Sequence, residues 1–135
     1  MENLSDFDRQ RKALSDATDI FLRQNFSPSP KSIKLLMDHD LVVIRVDNFL
    51  CRAEIEMGKK KGDTKIIHEM YSRLFERVKA SLVDRIEQIT RKKVKSSQMN
   101  INFETELCVM DFFLAAKPDE ENMKLTLLMT PQEKR

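Results

Sequence analysis

Tryptophan is absent from this sequence, tyrosine occurs once, and only two glycines are present, Gly58 and Gly62. A phosphate-cradling loop needs several glycines at fixed spacing, so nucleotide binding of that kind is excluded. Aromatic side chains interleaved with basic ones, the pattern that stacks single-stranded nucleic acid, are missing as well. Cysteine is equally scarce: Cys51 and Cys108 stand alone without a CxxC pair, and the polar, acidic stretch Met1–Asp8 carries no secretory signal. Both are read as free thiols in a cytoplasmic, reducing setting. No HExxH, CxxC or HxH spacing involves His39 or His68, so no metal site and no cofactor is expected. No apolar run approaches the roughly 18 residues that span a bilayer, so direct membrane insertion is not expected.

What is present suffices for one domain. The chain has 135 residues, 41% of them hydrophobic and 34% charged, enough for a single core inside a densely charged surface. The net charge of +2 is unevenly spread. Residues 51–100 hold 13 Lys and Arg against 7 Asp and Glu, whereas 101–135 hold 4 against 7. The middle is basic and the tail acidic.

Periodicity gives the elements. Phe7, Leu14, Ala17, Phe21 and Leu22 fall at helical spacing, and Ser5 with Asp8 forms a partial capping box, which predicts a helix over about residues 6–24. It has to stop before Pro28 and Pro30. Ile33, Leu35 and Met37 alternate, Asp38-His39-Asp40 favours a turn, and Leu41 to Val46 is a β-branched run, so a hairpin follows. Val43 and Arg45 share the face opposite Val42, Ile44 and Val46, so one face should meet the core while the other is at least partly solvated.

A short helix is expected at 52–57, then an exposed, mobile lysine loop to Gly62. Asp63 or Thr64 should cap the strongest element, a helix with apolar positions from Ile66 to Ile89 over about seven turns. Residues 91–97 should end that helix. Met99, Ile101 and Phe103 alternate, Glu104-Thr105-Glu106 turns, and Leu107 to Leu114 reads as a buried strand. The fold class is therefore α+β: a two-layer sandwich of helix, hairpin, long helix and hairpin, with the helices on one face of a mainly antiparallel sheet. Residues 1–114 form the domain, and 115–135 an acidic extension with a possible edge strand around Met123 to Met129.

No constellation points to catalysis. Cys108, inside an apolar run, is read as core. Cys51 next to Arg52 leaves a thiol enzyme as a weak third option. Asp111, a carboxylate within Val109-Met110-Asp111-Phe112-Phe113, is read as a solvated-face residue, with a functional salt bridge or subunit contact as the alternative. The runs Lys59-Lys60-Lys61 and Arg91-Lys92-Lys93 are read as solvated charge, with an anionic ligand or nucleic acid as the alternative. A wide apolar arc on the long helix (Tyr71, Leu74, Phe75, Leu82 and Val83) suggests a homodimer.

Pro30-Lys31-Ser32-Ile33-Lys34, the strand Leu41-Val42-Val43-Ile44-Arg45-Val46, Ala53-Glu54, and the helix end Thr90-Arg91-Lys92-Lys93-Val94 together resemble the MpsC domain over about residues 5–114. That family takes its name from a sodium-translocating, membrane-potential-generating system. Its members usually carry a glycine-rich turn before the Pro-Lys-Ser run and a glycine in the last hairpin. Here those places hold Ser27-Pro28-Ser29 and Glu104-Thr105-Glu106. The resemblance implies a non-catalytic cytoplasmic accessory protein, associated through a partner with membrane subunits that transport cations or inorganic carbon. The residues expected to meet partners are Lys31, Lys59, Lys60, Lys61, Arg91, Lys92, Lys93 and Asp111. A homodimer is expected, membrane transport subunits are possible partners, and nucleic acid is not favoured.

Overall fold

The computed structural model describes residues 2–27 and 32–115. Lys31 and the extension after Ala115 lie outside the described residues. The order is α1 (Glu2–Asn25), β1 (Ser32–Asp38), β2 (Leu41–Asp47), α2 (Arg52–Met57), α3 (Lys61–Thr90), β3 (Val94–Asn102) and β4 (Leu107–Leu114). The four strands form one antiparallel sheet in the order β1-β2-β4-β3, and α1 and α3 pack on one face of it, which is the expected α+β sandwich.

Alternation places the core. Val42, Ile44 and Val46 of β2 and Cys108, Met110, Phe112 and Leu114 of β4 point under the helices and are buried. Leu14, Ala17, Phe21 and Leu22 of α1 meet them, with Ile67, Phe75, Leu82 and Ile86 of α3. Two buried threonines spend their hydroxyls locally. Thr18 donates to the Leu14 carbonyl and Thr90 to that of Ile86, each at 2.7 Å, so neither leaves an unmet donor. The arc of α3 expected to meet a second copy is largely turned inward: Phe75 and Leu82 are buried, and Tyr71 and Val83 pack against the same core.

Four boundaries differ from expectation. Helix α1 starts at Glu2, so Ser5 lies inside it rather than at its N-cap; no proline or glycine in residues 2–5 interrupts the helix. Helix α3 starts at Lys61 with Lys60 as N-cap, so Asp63 and Thr64 are first-turn residues and the lysine loop shrinks to a tight turn. Thr64 donates to the carbonyls of Gly58 (3.1 Å) and Lys60 (2.9 Å), tying that turn to the helix. Residues 94–98 belong to β3, which is five residues longer at its start than the Met99 start expected from its apolar alternation. The strand is a sheet edge with one polar face and a bulge between Val94 and Ser96, so its first half shows no apolar alternation. Phe103, expected to continue that strand, opens the β3–β4 turn instead.

The Glu87 carboxylate accepts the Val94 amide at 2.9 Å and so joins the end of α3 to the start of β3. Arg91 closes α3 in the left-handed region at φ 61°, its amide bonded to the Glu87 carbonyl at 2.8 Å. Glu106, in the β3–β4 turn, is also left-handed at φ 61°. A side chain at such a φ is disfavoured. Glu106→Gly is expected to stabilise the protein by up to about 1 kcal/mol, raising Tm by a few degrees in a thermal melt. The carbonyl of residue 106, which accepts the Phe49 amide at 3.1 Å, is retained in that variant.

Candidate functional site

The two basic runs do not form one patch. Lys59–Lys61 lies at the start of α3 and Arg91–Lys93 just beyond its end, about 45 Å apart for a helix of 30 residues. Each run has acidic company. Lys59 pairs with Glu56 at 3.1 Å, and Lys92 donates to the His39 carbonyl in the Asp38-His39-Asp40 turn. Asp38 in that turn is held below the usual carboxylate range, chiefly by the His39 amide and also by the His39 ring and Lys92. Asp38, His39 and Asp40 bring three ligand-type side chains within 4.8 Å of one another, all exposed, and Asp38 is already bonded to His39.

The chain's only tyrosine sits at an aromatic corner built by α1, the β2–α2 connection and α3. Its ring lies 5.9 Å from Phe26 and 5.0 Å from Phe49, and Phe26 lies 5.7 Å from both Phe49 and Phe21. The Tyr71 hydroxyl donates to Glu54 at 2.5 Å, and the other oxygen of that carboxylate accepts the Cys51 amide at 2.9 Å, capping α2. Burial, then the bond to Glu54, raise the phenol above its ordinary range. Cys51 is exposed beside this corner, while Cys108 is buried and its thiol is pushed up to about 12 by desolvation. A thiol reagent is therefore expected to modify one cysteine of the native protein, Cys51. The second should react only after denaturant is added, and two fast thiols would contradict the packing of β4.

The face of the sheet turned away from the helices is left bare among the described residues, except at its β1 side, where Lys34, Leu36, Val43 and Arg45 share a cleft with Asp8, Arg11 and Asp16 of α1. Along this face run Lys34 and Leu36 of β1, Leu41, Val43, Arg45 and Asp47 of β2, and Leu107, Val109, Asp111 and Phe113 of β4. Gln98, Asn100 and Asn102 of β3 complete it with polar groups. Leu36 is 69% exposed and Phe113 45%. The register sets Leu36 opposite Val43, Leu41 opposite Phe113, Val43 opposite Asp111 and Arg45 opposite Val109. Asp111 thus stands on the solvated face, as read from the sequence, and accepts a hydrogen bond from Gln98 at 3.1 Å. Arg45 pairs with Asp47: Nη2 donates to Oδ2 at 3.2 Å, while Nε lies 3.0 Å from Oδ1 out of line for a hydrogen bond.

A second apolar strip marks the outer side of α3. Ile66 (60% exposed) and Met70 (49% exposed) lie one turn apart and line a shallow groove with Leu74, Arg73 and Arg77. Ile66 and Met70 belong to the apolar periodicity read for this helix, but they face outward rather than into the core, because that periodicity spans a wider arc than the sheet and α1 cover. Alternation in β2 had set Val43 and Arg45 on one face, but their partners in β4, Asp111 and Val109, come from more than 60 positions away.

Among the described residues, no helix is long and apolar enough to cross a membrane. No curated protein and no solved structure matches the chain. Residues 9–116, covering most of the domain laid out above, match the family described as the Na+-translocating membrane potential-generating system (MpsC), and the chain belongs to that family.

Proposed function

We propose that this protein is a non-catalytic, cytoplasmic accessory component that docks on membrane subunits translocating cations or inorganic carbon. The observation that carries the reading is the family match over residues 9–116. It is supported by the surface: exposed apolar side chains flanked by cations, Ile66 and Met70 beside Arg73 and Arg77, suit protein contact better than small-molecule chemistry. The lysines at the start of α3 stand at one end of the same helix and supply charge toward an acidic partner surface.

The test is a pull-down of the tagged chain from gently solubilised native cells, read by mass spectrometry. Membrane transport subunits are expected, with recovery reduced in Ile66→Glu and in a variant carrying Lys59→Glu, Lys60→Glu and Lys61→Glu. Recovery of the chain alone overturns the reading. The alternative, a stand-alone binder of an anionic ligand or nucleic acid, has less support. With the basic runs some 45 Å apart at opposite ends of α3, each is left to act as a short, separate cluster.

A further inference from the structure

We infer that two copies of this chain pack through the bare face of their sheets, about a twofold axis that sets Arg45 of each against Asp111 of the other. The inference rests on reading the chain as an interaction protein, though not on any membrane partner.

Three observations select a second copy as the occupant of this face. The first is its mixed character. Leu36, Leu41, Val43, Val109 and Phe113 make a continuous apolar area by the cross-strand register, interrupted only by Arg45 and Asp111. The Asp111 carboxylate stands between Val109 and Phe113 along its strand and beside Val43 across it.

The second is an unmade charge pair. Arg45 and Asp111 are diagonal neighbours on one face, a separation of roughly 7–8 Å between β-carbons that long side chains can bridge. They do not bond to each other: Arg45 turns to Asp47 and Asp111 to Gln98. The arginine side chain is 42% exposed and has donors to spare for a second carboxylate.

The third is that the face is complementary to itself. A twofold axis lying in the plane of contact and running diagonally from Val43 to Val109 brings each of these valines near its own copy. The same operation places Arg45 over Asp111, Leu36 over Leu41, and the Lys34 stem over the Phe113 ring, in both directions at once. With strands about 4.8 Å apart, the two sheets then cross at roughly 70°, near the orthogonal class of sheet packing. Four strands of about seven residues span roughly 19 by 24 Å, about 460 Å² in projection, which puts the contact at the small end of specific interfaces.

Pairing by sheet extension is disfavoured, because the β3 edge carries Lys95 and a bulge at its start and the β1 edge carries Lys34.

The test is the mass of the purified full chain at micromolar concentration, by light scattering or sedimentation. Wild type is expected at twice 15.9 kDa. Asp111→Arg sets cations against each other across the axis and is expected to weaken the dimer by 100-fold or more, about the effect of several kcal/mol of like-charge repulsion. Arg45→Asp should do the same, and the double swap Arg45→Asp with Asp111→Arg should restore the dimer. Leu36→Lys, at a highly exposed position on the edge strand, provides a dissociating variant with little risk to folding, which circular dichroism checks. A wild-type mass of 15.9 kDa overturns the inference while leaving the accessory reading standing. A dimer that survives both Asp111→Arg and Leu36→Lys also overturns it, because that dimer uses another face. Failure of the double swap to restore the dimer removes the Arg45–Asp111 pairing.

Discussion

Phe75→Ala is expected to cost roughly 3–5 kcal/mol, a large part of the 5–15 kcal/mol that a domain of this size has in total. Phe75 is among the largest fully buried side chains, and its ring meets Phe112 edge to face at 6.2 Å, joining the middle of α3 to the middle of β4. Removing it opens a cavity between the layers that α3 cannot close, because the helix is held on either side by Ile67 and Leu82. In urea the midpoint should fall with an unchanged slope, and Phe75→Leu should lose much less. A cost below about 1.5 kcal/mol for the alanine variant would show that the ring does not fill the inter-layer space.

Glu54→Ala should cost about 2 kcal/mol through two separate losses: the cap on the Cys51 amide and the partner of the Tyr71 hydroxyl, each worth about 1 kcal/mol. The same pair sets an alkaline limit on stability. In the folded protein the Tyr71 phenol titrates above its ordinary pKa of about 10, so as pH rises past that value the unfolded chain releases its proton first. The unfolded state then binds fewer protons than the folded one, and stability falls with further increase in pH; below about 10 the contribution is intact. Because Tyr71 is the only tyrosine and tryptophan is absent, phenolate absorbance reports this one group. Wild type should show no phenolate at the ordinary midpoint until it unfolds. Glu54→Ala should move the titration part of the way back, leaving the share due to burial. Tyr71→Phe should abolish this alkaline dependence, and a wild-type midpoint at the ordinary value would contradict the corner's geometry.

The aromatic corner also shows where linear reading stops. Tyr71 was assigned to an apolar arc facing a second copy, since its helical spacing is that of a buried position. Spacing identifies the buried side of a helix but not what buries it. Here Phe26 and Phe49 do so, from segments 45 and 22 residues earlier in the chain. Similarly, residues 51–100 form one basic stretch when read along the chain, and a rigid helix of 30 residues sets its two lysine runs at opposite ends. The polar first half of β3 was hidden because an edge strand with one solvated face lacks the apolar alternation that marks a strand, and its pairing with β4 lies in backbone amides common to every sequence.

The sequence by itself determined the order of elements, the division of β2 into two faces, the burial of Cys108 and the family to which the chain belongs. Each of these is written in local periodicity or in residue identity along a short run. Only the tertiary structure decided the strand order β1-β2-β4-β3, and with it which residues share the bare face. Leu36, Val43 and Asp111 come side by side only when β4 inserts between β2 and β3. The physical reason is that register is a relation between distant segments, set by how two helices and two hairpins bury their apolar faces together.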